Sequence, residues 1–201
     1  VGESGSGKST AMLAVMGLLK ENASMQSEGI TVCGEPAVPG VNIAMIFQNP
    51  QSCLNPSVKI GRQITETVRA RRHCGRREAR ERALELLDMT GIGNAKVRMR
   101  QYPFELSGGM LQRVVIAIAL ACEPRVIIAD EPTTALDAAV QAQILRLLRR
   151  IVEETGTALL LVSHDLGVTA SLCRRVYVMR RGRIVESGSV EDIFYDPGEE
   201  Y

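Results

Sequence analysis

The sequence predicts an α/β fold with a mainly parallel sheet, on two observations. Short apolar stretches of strand length alternate with longer helical patterns along most of the 201 residues, and this alternation is typical of parallel strands connected by helices. A charged, helical block at residues 49–106 interrupts the alternation. We therefore expect one unit over residues 1–201, with residues 49–106 inserted into its α/β core as a helical subdomain.

The individual elements follow from periodicity and turn residues. The first 19 residues are predicted to form a strand end, a glycine-rich loop and a helix. Strands are expected at 30–33, 43–47, 126–130 and 158–163, helices after Ser107, over 138–153 and after Asp165, and a closing hairpin at 176–179 and 183–186. Residues 76–87 have the spacing of an amphipathic helix, whose apolar face is formed by Ala79, Ala83, Leu84 and Leu87.

Charge and hydropathy restrict the class of protein. Lys and Arg total 24 and Asp and Glu total 23, so the formal net charge is only +1. Nucleic-acid-binding proteins usually carry a basic excess, and the arginines of residues 69–82 are interspersed with glutamates, so no nucleic-acid partner is expected. The longest apolar run, residues 114–122, is shorter than the roughly 20 residues that span a bilayer. No signal peptide precedes it, which favours a cytoplasmic chain. The five cysteines form no CxxC pair and indicate no metal or redox centre.

The first chemical motif is GESGSGKS at residues 2–9, a full match to the phosphate-binding pattern GxxxxGK[ST]. Glycines allow backbone N–H groups to surround phosphates, and the helix that starts there adds its positive end. Lys8 is expected to reach the β- and γ-phosphates of a nucleotide, and the Ser9 hydroxyl is expected to bind Mg²⁺. Because only Val1 precedes Gly2, whereas such a loop normally follows a complete strand, the chain is expected to be a fragment.

The second motif is VIIADE at residues 126–131, in which four apolar residues precede two carboxylates. Open α/β sheets place their ligands at the carboxyl ends of strands, where these carboxylates are expected. Asp130 is suited to hold the Mg²⁺ shell and Glu131 to polarise an attacking water. A strand that ends in Asp-Glu is a weak signal alone, and the phosphate-binding loop makes it a strong one.

The third motif is LSGGM at residues 106–110, directly before an apolar helix. Ser107 is expected to cap the helix, and Gly108 and Gly109 leave backbone N–H groups open to an anion. An ordinary helix cap is the alternative interpretation. Since the chain already has one phosphate site, the second one is interpreted as serving the nucleotide of another subunit.

Together these motifs resemble those of ABC-transporter nucleotide-binding subunits. GESGSGKST resembles the Walker A loop, VIIADE the Walker B strand and LSGGM the signature. Gln48 in IFQNP matches the Q-loop glutamine, Asp137 in Ala135-Leu136-Asp137 matches the D-loop, and His164 in LLLVSHD matches the switch histidine. The resemblance implies a P-loop NTPase core. The residues implied to contact ATP are Gly2, Glu3, Ser4, Gly5, Ser6, Gly7, Lys8, Ser9, Thr10, Ser107, Gly108, Gly109 and Asp137.

Other segments are similar to one branch of that family, the importers of oligopeptides, dipeptides or nickel. NPQSCLNP at 49–56, DEPTTALD at 130–137 and FYDPGEEY at 194–201 are typical of the branch. Met110 stands where the wider family usually has Gln, and it is familiar in this branch. The family's N-terminal antiparallel strands, with the aromatic residue that stacks on adenine, are not matched, so no residue is assigned to adenine.

The resemblance also implies a mechanism. Two subunits, identical or homologous, pair head to tail, and each ATP lies between one Walker A loop and the partner's signature. The catalytic residues are expected to be Glu131, His164 and Gln48. His164 would contact the γ-phosphate, and Gln48 would link Mg²⁺ and the attacking water to the helical subdomain. The expected metal ligands are Ser9, Gln48 and Asp130. Membrane permease subunits are the implied partners, and a solute-binding protein is involved only indirectly. The chain is expected to lie at the cytoplasmic face of the inner membrane.

Two alternatives remain open at this point. A soluble ABC ATPase of DNA repair would carry a long coiled-coil insertion, and one of translation would fuse two nucleotide domains; neither feature is present in these residues. An exporter subunit is disfavoured by the segment NPQSCLNP. The transported solute, and whether the partner is a second copy or a homologue, do not follow from the residues.

Overall fold

The computed structural model describes residues 1–134, 136–195 and 198. The strands are β1 (Thr31–Val32), β2 (Glu35–Pro36), β3 (Ile43–Ile46), β4 (Val126–Asp130), β5 (Ala158–Val162), β6 (Arg175–Arg180) and β7 (Arg183–Ser189). The helices are α1 (Lys8–Val15), α2 (Pro50–Cys53), α3 (Ile60–Arg72), α4 (Arg76–Met89), α5 (Ala95–Arg98), α6 (Gly108–Ala121), α7 (Ala138–Thr155), α8 (Leu166–Leu172) and α9 (Val190–Tyr195), with a 3₁₀ turn at Pro103–Glu105.

The core sheet is parallel, in the order β3–β4–β5. Ile43 lies opposite Val126, and Val126 lies opposite Ala158, so the three strands start at the same level, and β3 ends one residue before the other two. All four residues of β3 are buried, which is usual for a parallel strand covered on both faces. The carboxyl ends of the three strands therefore meet at one edge of the sheet.

The strand expected at 30–33 is shorter than predicted and lies outside the parallel sheet. Only Thr31–Val32 is extended, and it pairs antiparallel with β2 in a separate two-stranded sheet. A turn with Cys33 and Gly34 at positive φ brings β2 back against β1. The local turn, which the apolar pattern does not reveal, decides this pairing.

The closing hairpin β6–β7 packs against the glycine-rich loop. The amide of Met179 donates to the carbonyl of Val1 at 2.8 Å, and the amide of Gly182 donates to the carbonyl of Ser6 at 2.8 Å. A Cβ at Gly2 would overlap the carbonyl oxygen of Met179, so only glycine allows this approach. A cavity of about 1010 Å³ is lined by both β5 and β6 and reaches Lys8.

Helices α3, α4 and α6 share one apolar core. Fully buried side chains include Ile64 of α3, Leu87 of α4 and Ile116 of α6. On α4 the predicted face is correct for Ala79, Ala83 and Leu87, but Leu86 is fully buried, whereas Leu84 is only partly buried. The cause is that α4 contacts both α3 and α6, so its buried face is wider than one stripe. The limits 49–106 of an inserted subdomain stay a prediction.

The longest helix, α7, has 18 residues and is amphipathic, with one buried face formed by Ile144, Leu147, Leu148 and Ile151. Asp137 caps its start by accepting a hydrogen bond from the amide of Val140 at 2.9 Å. Gly156 ends it in the left-handed conformation. No helix in the described part of the chain is both long and apolar enough to cross a membrane.

Gly61→Ala tests the close approach of α3 to the segment after α5. A Cβ at Gly61 would lie 2.7 Å from both Cβ and the carbonyl oxygen of Met99, so we expect a loss of about 1–3 kcal/mol in the free energy of unfolding, the usual cost of overpacking. Gly93→Ala is the matched control, because a Cβ there meets nothing within 4 Å. Urea denaturation should show a change of about 1 kcal/mol or less for the control; equal effects of the two variants would contradict the packing.

Candidate active site

The glycine-rich loop closes around the Lys8 side chain. Gly2, Gly5 and Gly7 have positive φ angles, which lets the backbone curl where other residues would be strained. The Lys8 Nζ donates to the carbonyls of Gly2 and Glu3 at 2.7 Å each, and Lys8 is 8% exposed. Helix α1 starts at Lys8, and Thr10 lies exposed in its first turn. The loop therefore curls around the Lys8 ammonium, and the predicted contact of Lys8 with phosphates stays a prediction.

Ser9 and Asp130 form a pair of oxygen donors beside this loop. The Ser9 hydroxyl donates to Asp130 Oδ1 at 3.0 Å, and Asp130 is buried at 6% exposure. Burial raises the pKa of the Asp130 carboxyl; the Ser9 hydrogen bond and the Lys8 charge oppose the rise, and the neighbouring Glu131 charge adds to it. A carboxylate in such surroundings is stabilised by a nearby cation.

This donor set suits Mg²⁺. The ion prefers hard oxygen ligands and is usually held by one or two protein groups, with water and substrate phosphates completing its shell. Within the described residues no group of three or more His, Cys, Asp or Glu side chains could hold a metal by itself. Ser9 and Asp130 therefore fit an ion whose shell a substrate completes. Gln48, predicted as a further ligand, is placed at Glu131, so its contact with the metal stays a prediction.

Three side chains converge on the Glu131 carboxylate. Gln48 Nε2 donates to Oε2 at 3.0 Å, and Thr134 Oγ1 donates to the same oxygen at 2.9 Å. His164 Nδ1 lies 2.9 Å from Oε1. Gln48 follows β3, Glu131 follows β4 directly and His164 follows β5. The parallel sheet thus assembles three residues that are far apart in sequence.

The environment of Glu131 favours its charged form. Burial alone would raise its pKa, but the hydrogen bonds with His164 and Thr134, and the charges of His164 and Lys8, outweigh it, so the pKa of Glu131 lies below its ordinary value. Its backbone has φ of +45°, which is uncommon for a residue with a side chain. Its amide donates to the carbonyl of Val162 at 3.0 Å, and this bond to β5 holds the turn.

Thr134 is the member of this cluster that the sequence motifs missed. The available signal was a hydroxyl three residues after Glu131, within a segment that turns: the Thr134 amide donates to the Glu131 carbonyl at 3.2 Å. Such a short-range hydroxyl contact is common in turns.

The signature and D-loop residues lie side by side at two helix starts. Ser107 caps α6 by accepting from the Met110 amide at 3.4 Å, as predicted. A Cβ on Gly108 would meet Leu136 at 3.6 Å, which places the signature beside the segment that leads to Asp137. Ala135 of the D-loop and residues 196, 197 and 199–201 of the C-terminal segment lie outside the described residues.

The ABC transporter family model matches residues 1–134, more than half of the chain. The chain belongs to this family. Among curated ABC relatives are the oligopeptide transport ATP-binding proteins AppD and OppD of Bacillus subtilis, 45% and 46% identical over 98% and 100% of the chain, and OppD of Haemophilus influenzae, 45% identical over 100%. The chain spans 63%, 59% and 65% of these relatives, less than two thirds of their length.

Solved ABC structures share the fold of this chain. The dimeric post-hydrolysis state of the ATP-binding cassette MJ0796, bound to ADP and Pi, matches with a TM-score of 0.77 and 28% identity, covering 94% of this chain and 83% of that one. CbiO1 from Clostridium perfringens, part of the ABC transporter complex cbiONQ, matches with a TM-score of 0.79 and 28% identity, covering 98% and 78%. The predicted P-loop NTPase core with its mainly parallel sheet is confirmed.

Thr134→Val tests the hydrogen bond to Glu131 in this ABC chain. Valine keeps the shape but lacks the hydroxyl, and a hydrogen bond donated to a carboxylate favours its charged form, so we expect the pKa of Glu131 to rise. Thr134→Ser keeps the donor and should leave the pKa low. NMR titration of the Glu131 carboxyl carbon measures both; an unchanged pKa in the valine variant would show that the contact does not act on Glu131.

Proposed function

We propose that this chain is the ATP-binding and hydrolysing part of a membrane importer of peptides. The observation that carries the proposal is the arrangement at one sheet edge: the Lys8 loop, the Ser9–Asp130 pair and the Glu131 cluster. The family and the printed names of the relatives, which are oligopeptide transport proteins, support the peptide class. Nickel, the other expected solute, is not part of the printed name of any of the three relatives described above.

ATP binds through its phosphates at the loop. The positive φ angles of Gly2, Gly5 and Gly7 let the loop curl and turn its backbone amides inward, and the start of α1 adds a partial positive charge. Lys8 contributes the ammonium. Glu3, Ser4, Ser6 and Thr10 complete the segment that surrounds the phosphates. Because the Lys8 charge acts on bound ATP as well as on the transition state, this residue supports affinity and hydrolysis together.

Hydrolysis depends on Glu131. A carboxylate accepts about four hydrogen bonds. Within the described part of the chain three positions are taken by Gln48, Thr134 and His164, which leaves one on Oε1 for the attacking water. The low pKa keeps Glu131 charged and able to polarise that water. Mg²⁺ held at Ser9 and Asp130 would neutralise phosphate charge. Gln48 and His164 position the carboxylate. They follow β3 and β5, the strands on either side of β4, and from there they reach the water and the γ-phosphate.

A second subunit completes the site. Ser107, Gly108, Gly109 and Asp137 lie at the starts of α6 and α7, where amides and caps suit the phosphates of a partner's ATP. The dimeric structure of the MJ0796 cassette supports pairing with a second chain, and the head-to-tail arrangement is part of this proposal. The partner is either a second copy or a homologous chain.

The helical block 49–106 is the subdomain that faces the membrane. Its segment after Gln48 is largely exposed, and its surface carries Phe104, 75% exposed and stacked on Tyr102 at 5.6 Å between ring centroids. Exposed aromatic side chains are enriched at protein interfaces. Permease subunits at the cytoplasmic face of the inner membrane are the partners, and a solute-binding protein acts through them.

Lys8→Ala and Glu131→Gln should separate binding from hydrolysis in the full-length protein. Lys8→Ala removes charge from the phosphate site, so ATP affinity in a fluorescence titration should be lost. Glu131→Gln cannot polarise water, so turnover should fall by at least about 100-fold while ATP still binds and an ATP-bound dimer accumulates on gel filtration. Lys20→Ala and Glu81→Gln, both exposed, are the controls. Normal turnover of Glu131→Gln would assign the base elsewhere.

Purification from native membranes tests the transport role. Permease subunits should co-purify with the full-length protein, and Phe104→Ala should reduce their recovery about tenfold, as expected when a contact of about 1.4 kcal/mol is lost. Tyr195→Ala removes an aromatic ring that is 88% exposed on α9, outside the block, and should leave recovery unchanged. Co-purification of ribosomes or DNA in place of permeases would favour a soluble ABC ATPase.

A further inference from the structure

Gly109, in the first turn of α6, lies against the first turn of α7. A Cβ built on Gly109 would be 2.6 Å from Cγ1 of Val140 and 3.8 Å from its Cβ and Cγ2. A Cβ on the adjacent Gly108 would be 3.6 Å from Leu136, an ordinary contact distance. The two signature glycines therefore differ: only Gly109 lies where a side chain does not fit.

A left-handed backbone is not the reason for glycine at position 109. Gly109 is not among the residues with positive φ, so its backbone conformation is open to alanine. Alanine is the better helix former, and it keeps the backbone N–H that an anion would bind. What alanine adds is the methyl group, and that methyl group meets Val140.

Both partners of this contact are anchored. Val140 is β-branched, and such side chains have one strongly preferred rotamer in a helix; its amide is also held by Asp137 at 2.9 Å. One turn further along each helix, Arg113 of α6 donates to Gln143 Oε1 of α7 at 3.0 Å. The buried faces of α6 and α7 belong to the same apolar core. Neither helix can shift readily to accept a larger side chain.

We propose that Gly109 and Val140 are positioning residues that lock the starts of α6 and α7 together, so that the signature and Asp137 meet a partner's nucleotide as one unit. The proposal rests on the head-to-tail dimer of the proposed function. It assigns to Gly109 a role within its own chain, in addition to its amide. The contact sets the spacing between the Ser107 cap and the Asp137 cap, the two groups that face the partner.

The test uses full-length protein that carries Glu131→Gln, in which ATP-bound dimers accumulate. Gly109→Ala should weaken ATP-dependent dimerisation, measured by analytical ultracentrifugation, by about tenfold or more, the scale of an overpacking defect. Affinity for a fluorescent ATP analogue at the chain's own Lys8 loop should change by about twofold or less. Adding Val140→Ala to Gly109→Ala makes room for the methyl group and should restore dimerisation to the level of Val140→Ala alone.

Gly108→Ala is the matched comparison, because it adds the same methyl group to the same motif without the clash. Gly108→Ala has some effect of its own on dimerisation, and adding Val140→Ala should leave the size of that effect unchanged. Thermal unfolding should follow the same pattern, with a lowered Tm in Gly109→Ala that Val140→Ala raises again.

Three outcomes would overturn the proposal. Gly109→Ala could dimerise normally, Val140→Ala could fail to restore it, or ATP affinity could fall in parallel with dimerisation, which would indicate general damage to the fold. If the parent protein forms no ATP-dependent dimer, either with itself or with its homologous partner chain, the head-to-tail pairing of the proposed function fails and takes this proposal with it. If the parent protein dimerises but Val140→Ala does not restore dimerisation to Gly109→Ala, only the Gly109–Val140 lock is refuted and the proposed function stands.

Discussion

The parallel pairing of β4 with β3 on one side and β5 on the other determines where the side chains of Gln48, Glu131 and His164 lie. Because Ile46, Ala129 and Leu161 share one level of the sheet, the residues that follow each strand emerge at the same edge. Gln48, Glu131 and His164 meet there over separations of 83 and 33 residues. A shift of one strand by one residue would turn its side chains to the other face and separate these contacts.

The turn after β4 shows how local strain is held by the fold. A non-glycine residue at positive φ costs on the order of 1–3 kcal/mol and persists only where its surroundings over-determine it. For Glu131, the surroundings are the backbone bond to Val162 and side-chain contacts from three directions. The same contacts that hold the backbone also orient the carboxylate, so the geometry of the site and the stability of the turn depend on one set of bonds.

Close backbone approach is a second theme of the structure. Gly2 lies against the Met179 carbonyl, and Gly109 lies against Val140. The first contact joins the glycine-rich loop to the closing hairpin, and the second joins α6 to α7. In both places the lack of a Cβ lets a motif segment pack closely against a neighbouring strand or helix. The motif glycines therefore position their segments in addition to exposing backbone amides.

The sequence by itself determined the parts of this protein that short-range chemistry specifies. The glycine-rich loop, the apolar strand before Asp130, the cap at Ser107 and the helices that start after Asp137 and Asp165 follow from neighbouring residues, and the structure has all of them. Their order along the chain also indicated the parallel core and the helical block.

Local turns decided the pairing of β1 with β2 and the contact of Thr134 with Glu131. Only the tertiary structure decided the burial of Leu86 and the packing of Gly109 on Val140, which depend on the distance between helices. No pattern of neighbouring residues contains that information, because the interacting groups are brought together by the packing of the whole core.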